Sequence, residues 1–153
     1  MPDYRYHITA NWTGGRQGNV LAGCAPETIP FSAPPEFMGE AGMWTPEHFF
    51  TAAIASCFVT TFKAIAEFSK FDFSLLHVEV EAVLEKEPGG YSFTKVVVKP
   101  SLEIGAEADQ GRALRLLDKA ERACLISRSI KGHVELRPEV LVRAMQVVRA
   151  AAE

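Results

Sequence analysis

Residues 45–62 read TPEHFFTAAIASCFVTTF, apolar on nearly every side, with Cys57 in the middle and Glu47 ten residues before it. A thiol acts as a nucleophile only when ionised. Its ordinary pKa of about 8.5 leaves little thiolate at neutral pH, and apolar burial leaves less. Cys57 would stand roughly three turns into a helix, where the positive end of the helix dipole no longer reaches. No basic residue precedes Lys63 on that helix. From composition alone Cys57 therefore reads as packing, since a reduced cysteine fills space like a small hydrophobe. Chemistry at this sulfur requires a cation or other donor brought from elsewhere in the chain.

The remaining candidate chemistry is sparse. Cys24, Cys57 and Cys124 are odd in number and widely spaced, which argues against a disulfide-stapled scaffold. There is no CxxC, and His7, His48, His77 and His133 are scattered, so neither a metal site nor a bound cofactor is expected. Arg16, in TGGRQG, stands alone as an ordinary turn residue, and Glu47 as a carboxylate at a helix start. His48 is expected to be structural or pocket-lining.

The elements that must position these residues follow from periodicity. Residues 4–11 look like a strand, 13–18 a glycine-rich hairpin turn, and 19–24 and 28–32 two further strands of a meander. Cys24 is expected in a strand, packed. Residues 33–46 form a loop with Pro34, Pro35, Gly39, Gly42 and Pro46, and with Phe37, Met38, Met43 and Trp44 among them. Large apolar side chains on such a loop suit a lid or pocket wall as well as a core.

Thr45 is a good N-cap, Pro46 suits the first helical position and Glu47 the positive dipole end. The helix should run to about Ser69. Its apolar residues cover more than one face, so it should be central and largely buried.

Period-two alternation predicts a strand from Leu76, a turn at Pro88-Gly89-Gly90 and a return strand over 91–104. A second helix is expected over 109–128, with Leu114, Leu117 and Cys124 on one face. A short strand over 133–137 and a terminal helix over 138–152 would follow. Strands, a long helix, a hairpin and further helices in that order indicate an α+β fold in one domain.

At 153 residues, 48% hydrophobic and 23% charged, the chain can bury a core and is too apolar for disorder. Its charge of −3, with no basic run, gives no support to nucleic-acid binding. The start lacks a secretory pattern, and only fourteen uncharged residues lie between His48 and Lys63, so a cytoplasmic protein with no membrane span is expected.

TGGRQG, the proline-rich loop, PEHFFTAAIASCF and the late AERACLISRSIKG, in that order, resemble the OsmC/Ohr family of thiol-dependent peroxidases for organic hydroperoxides. The similarity covers about residues 10–137, and the last fifteen or so extend beyond it. The resemblance implies an OsmC-like fold, with antiparallel sheets around a buried helix in an intertwined homodimer. It also implies roles: Cys57 as peroxidatic nucleophile, Cys124 as resolving thiol, Arg16 holding Cys57 as thiolate, and Glu47 orienting Arg16. Such roles suit the residue types. A guanidinium stays charged in a dry site, and a sulfenic acid needs a nearby thiol before it over-oxidises. Phe37, Met43, Trp44 and Phe49 would supply an apolar pocket for a bulky hydroperoxide. The reductant implied is a dithiol, such as a lipoyl group on a partner protein.

Ten residues of helix separate Glu47 from Cys57 by roughly 15 Å along the axis. One arginine cannot readily serve both, so Arg16 and Glu47 are expected to serve the cysteine of a second copy across a two-fold. The family commonly has a proline directly after the second cysteine, where this chain has Leu125. Leucine lets the helix run on and leaves the resolving role of Cys124 open. Two other functions stay in play: a non-catalytic protein of the same fold that binds an apolar small molecule or senses oxidants, and a structural dimer in which Cys57 only packs.

Overall fold

The computed structural model describes residues 3–143, which form two compact units, one ending at Phe50 and the other starting at Thr51. The first holds an antiparallel sheet, β1 (Thr9–Gly14), β2 (Gln17–Leu21) and β3 (Ile29–Ser32), in sequence order. Its first turn is the glycine-rich one expected, with Gly15 in the left-handed region at φ 52°. β1 starts later than the strand expected over residues 4–11. β2 ends at Leu21, opposite Thr9, so residues before Thr9 have no strand to pair with. Cys24 corrects another expectation: it lies exposed in the turn after β2 rather than packed in a strand.

Helix α1 (Pro46–Phe68) begins as its sequence indicates. The Thr45 hydroxyl accepts the His48 N–H at 3.2 Å, and His48 Nδ1 accepts the Thr45 N–H at 3.1 Å. The pair is a capping box with histidine where glutamate is usual. Within one chain only the stripe Ile54, Phe58, Phe62 and Ala66 is fully buried, while Val59 is 40% and Phe68 89% exposed. The expectation of burial on most sides thus holds for one face. By length and composition alone α1 could cross a bilayer, despite the short uncharged run counted in the sequence.

In the second unit β4 (Leu75–Glu87) and β5 (Gly90–Ile104) form a long antiparallel hairpin. β6 (His133–Leu136) and β7 (Glu139–Val142) both pair with β5 in parallel, a detail that alternation cannot reveal. Val96, Val98, Pro100, Leu102 and Ile104 of β5 are buried. Helix α2 (Gln110–Ala123) packs beside β5 and β7. It buries Ala113, Leu116, Leu117 and Ala120, with Cys124 just beyond its end. Leu114, expected on that face, is 40% exposed.

Two expected helices are corrected. α2 stops at Ala123, five residues early: Cys124 is extended (φ −62°, ψ 115°), and a 3₁₀ turn at Ser127–Ser129 follows. The chain must turn there to bring residues 133–136 alongside β5. The expected terminal helix over 138–152 begins instead with β7, and its remainder lies outside the described residues.

Candidate functional site

In the second unit the structure brings Cys57 and Cys124 together. Cys57, half-buried in mid-helix, has its Sγ 3.8 Å from Thr61 Oγ1, one helical turn on. The Cys124 thiol and the backbone N–H groups of Ile126 and Leu125 lie near enough to act on its ionisation. Burial is the largest influence on Cys57 and acts upward. The Ile126 N–H, the Cys124 thiol, the Thr61 hydroxyl and the Leu125 N–H act downward and prevail, so its pKa lies below that of an ordinary thiol.

Cys124 is the opposite case. It is fully buried, and burial pushes its thiol up; the Ser127 hydroxyl and amide ease this only in part, and Cys57 adds to it. Of the two thiols, Cys57 is therefore the one whose ionisation is favoured and Cys124 the one whose ionisation is opposed.

Thr61 and the amides at 125 and 126 were not among the residues singled out from sequence. Thr61 could have been, since it stands four residues after Cys57 and i, i+4 side chains meet on a helix. The amides carry no side-chain signature, and their availability depends on where α2 stops.

The first unit holds the other candidates. Arg16 follows Gly15 in the β1–β2 turn, exposed, and is tied to the 33–46 loop at both ends. Its Nη1 donates to the Phe37 carbonyl at 2.8 Å, and its own carbonyl accepts the Ala33 N–H at 3.0 Å. Phe37 thus supplies a backbone acceptor for the guanidinium. The loop is well built: Pro35–Phe37 makes a 3₁₀ turn, Met38 is left-handed at φ 63°, and buried Ser32 accepts the Glu40 N–H at 2.8 Å. Glu47 is half-buried in the first turn of α1.

Trp44 stacks on Phe49 at 5.6 Å between centroids and meets His48 edge-on at 6.1 Å. Met43, Trp44, Gly42 and His48 line a cavity of about 320 Å³. Of the pocket residues expected, Met43 and Trp44 line this cavity and Phe49 backs Trp44. His48 both caps α1 and lines the cavity. Because the Thr45 N–H can only donate, Nδ1 of a neutral His48 ring is the acceptor and its proton sits on Nε2. Among the described residues no cluster of three or more histidine, cysteine or acidic side chains could hold a metal ion.

Residues 39–139 match a family model described as OsmC-like protein. The uncharacterized protein YmaD of Bacillus subtilis (strain 168) is 32% identical over 148 residues, which is 94% of this chain and 97% of that one. The organic hydroperoxide resistance protein of Xanthomonas axonopodis pv. citri (strain 306) is 29% identical over 135 residues, 87% of this chain and 91% of its own length. Among solved structures, an organic hydroperoxide resistance protein OsmC from Legionella pneumophila has a TM-score of 0.75 at 27% identity, across 93% of this chain and 100% of that one.

Proposed function

We propose that this chain, which belongs to the OsmC-like family, is a thiol-dependent peroxidase that reduces organic hydroperoxides to alcohols. The observation that carries the reading is a pair of thiols that act on one another and are shifted in opposite directions, Cys57 down and Cys124 up. The Cys57 thiolate attacks the distal oxygen of ROOH, and the O–O bond breaks. The alkoxide leaves, takes a proton and becomes ROH, and Cys57 becomes a sulfenic acid. Cys124 then condenses with it, forming a disulfide and releasing water, before further oxidation intervenes. Two electrons from a dithiol reductant, such as a lipoyl group on a partner protein, restore both thiols.

Arg16 is assigned to hold the thiolate and polarise the peroxide, with Glu47 orienting its guanidinium. Phe37, Met43, Trp44 and Phe49 are assigned to the bound apolar group. The working unit is a cytoplasmic homodimer in which Arg16 and Glu47 of one copy serve Cys57 of the other. The axial spacing along α1 favours this over pairing within one chain, and the exposed Val59 and Phe68 are apolar surface in need of cover.

Titration with cumene hydroperoxide tests the reading. Two thiols are lost per equivalent in the parent, and none in Cys57→Ser. A parent that consumes no peroxide yet binds an apolar ligand, with Cys57→Ala binding it equally well, would leave the non-catalytic alternative standing.

A further inference from the structure

Helix α1 ends in a way that its own residues do not complete. Lys70 is left-handed at φ 49°, its N–H donates to the Glu67 carbonyl at 3.1 Å, and the Phe71 N–H donates to that of Ala66 at 2.9 Å. This is a Schellman close with lysine where glycine is usual. The last turn of α1 holds no basic residue, although a cation suits the negative end of a helix dipole. The cation comes instead from α2. Arg112 Nη2 donates to the Ser69 carbonyl, and the guanidinium lies 5.4 Å from the centre of the buried Phe71 ring. Arg112 itself stands in the first turn of α2, the positive end, where a cation is locally unfavourable. Its placement suits α1 and not its own helix.

Spacing carries this clamp to the cysteines. Ser69 follows Cys57 by twelve residues, and Cys124 follows Arg112 by twelve. Each stretch is helical up to its last residue, so both rise by roughly 18 Å. Two rods of equal length thus leave one joined end, and at their far ends the two thiols act on one another. We propose that Arg112 is a positioning residue for the thiol pair: its grip on the end of α1 sets α2 in the register that brings Cys124 level with Cys57. A rod of that length moves its far end by about 1 Å for every 3° or so of tilt. Disulfide geometry tolerates little of that, and a misplaced sulfur joins its partner far less readily. This rests on the reading of Cys57 and Cys124 as a nucleophile and its resolving thiol.

The equilibrium between the two thiols and their disulfide measures this register. In glutathione buffers, one glutathione disulfide takes two electrons from the pair, giving the Cys57–Cys124 bond and two glutathione thiols. The full chain is used, in a Cys24→Ser background. Arg112→Gln keeps a polar side chain but loses the charge and the flat cover on Phe71. In it the constant for disulfide formation falls about fivefold to tenfold. Arg115→Gln removes the same charge from an exposed position of the same helix, and its constant stays that of the parent. An arginine that only stabilises the fold would lower the urea midpoints of the oxidised and reduced forms alike; here the oxidised form loses more. Equal constants for the parent and Arg112→Gln would overturn the proposal.

Should Arg112→Gln fail to fold, Arg112→Lys decides. Lysine can still donate to the Ser69 carbonyl, but it is a point charge without the planar face that covers Phe71. Its constant falls about twofold to threefold, and one equal to the parent's would overturn the clamp. Neither measurement uses peroxide. A parent whose thiols pair as expected but which consumes no hydroperoxide would refute the peroxidase reading and leave the clamp in place.

Discussion

The middle of α1 and the end of α2 each hold a cysteine, and their backbones differ more than their side chains do. Around Cys57 the helix is unbroken, so its own amides are engaged in i to i−4 bonds and cannot help the sulfur. Around Cys124 the helix has just ended, and the amides that follow are available. Yet Cys57 is the thiol whose pKa is lowered, and the Ile126 and Leu125 amides are among the groups that lower it. Cys124, beside them in sequence, is fully buried and raised. A thiol is activated by the donors that face it, whichever segment they come from.

Removing either partner breaks the comparison most severely. In Cys124→Ser, steady-state turnover with a dithiol reductant should fall by about two orders of magnitude or more, for want of a disulfide intermediate. One equivalent of peroxide should still be consumed, and trapping with dimedone should find sulfenic acid at Cys57. A variant that keeps full turnover would mean that an external thiol resolves the intermediate.

The opposite pKa shifts also give opposite linkages to folding. An acid lowered in the fold adds stability as pH rises from its folded pKa to the unfolded value near 8.5. An acid raised in the fold loses stability as pH climbs from about 8.5 towards its folded pKa. Between pH 6 and pH 9.5, the destabilisation caused by Cys57→Ser should therefore grow, and that caused by Cys124→Ser should shrink. Urea midpoints at the two pH values measure both, and parallel changes in the two variants would undo the assignment of which thiol ionises.

The smallest effect is expected at Thr61. Its hydroxyl lies 3.8 Å from the Cys57 sulfur, a long and neutral contact. Thr61→Val, nearly the same shape, should raise the pH midpoint of Cys57 alkylation slightly and slow the rate at pH 7 about twofold. An unchanged profile would remove Thr61 from the groups that lower Cys57.

What could be read from the chain alone follows a physical division. The start of α1 was legible because Thr45, Pro46 and Glu47 each act locally, and the β1–β2 turn because its glycines do. The family, the α+β class and the candidacy of Cys57 and Cys124 were legible through ordered motifs. The stop of α2 was not, because AERACLISRS contains neither glycine nor proline and continues a helical pattern. That stop is imposed from outside, by the need to bring residues 133–136 beside β5. The donors to Cys57 were hidden for the same reason, since a backbone amide has no letter in the sequence. Cys24 and the late start of β1 share a cause: β2 ends at Leu21, so neither Cys24 nor the residues before Thr9 have a strand to join.

Gly39 sets a limit on what this scaffold will tolerate. A Cβ at residue 39 would lie 1.5 Å from the Ala33 carbonyl oxygen and 2.8 Å from the Ser32 hydroxyl, far inside contact distance. Even alanine must therefore prise the segment open. The same few residues carry the carbonyl that anchors Arg16. A single methyl group, on a residue with no reactive atom of its own, is thus enough to unmoor the guanidinium.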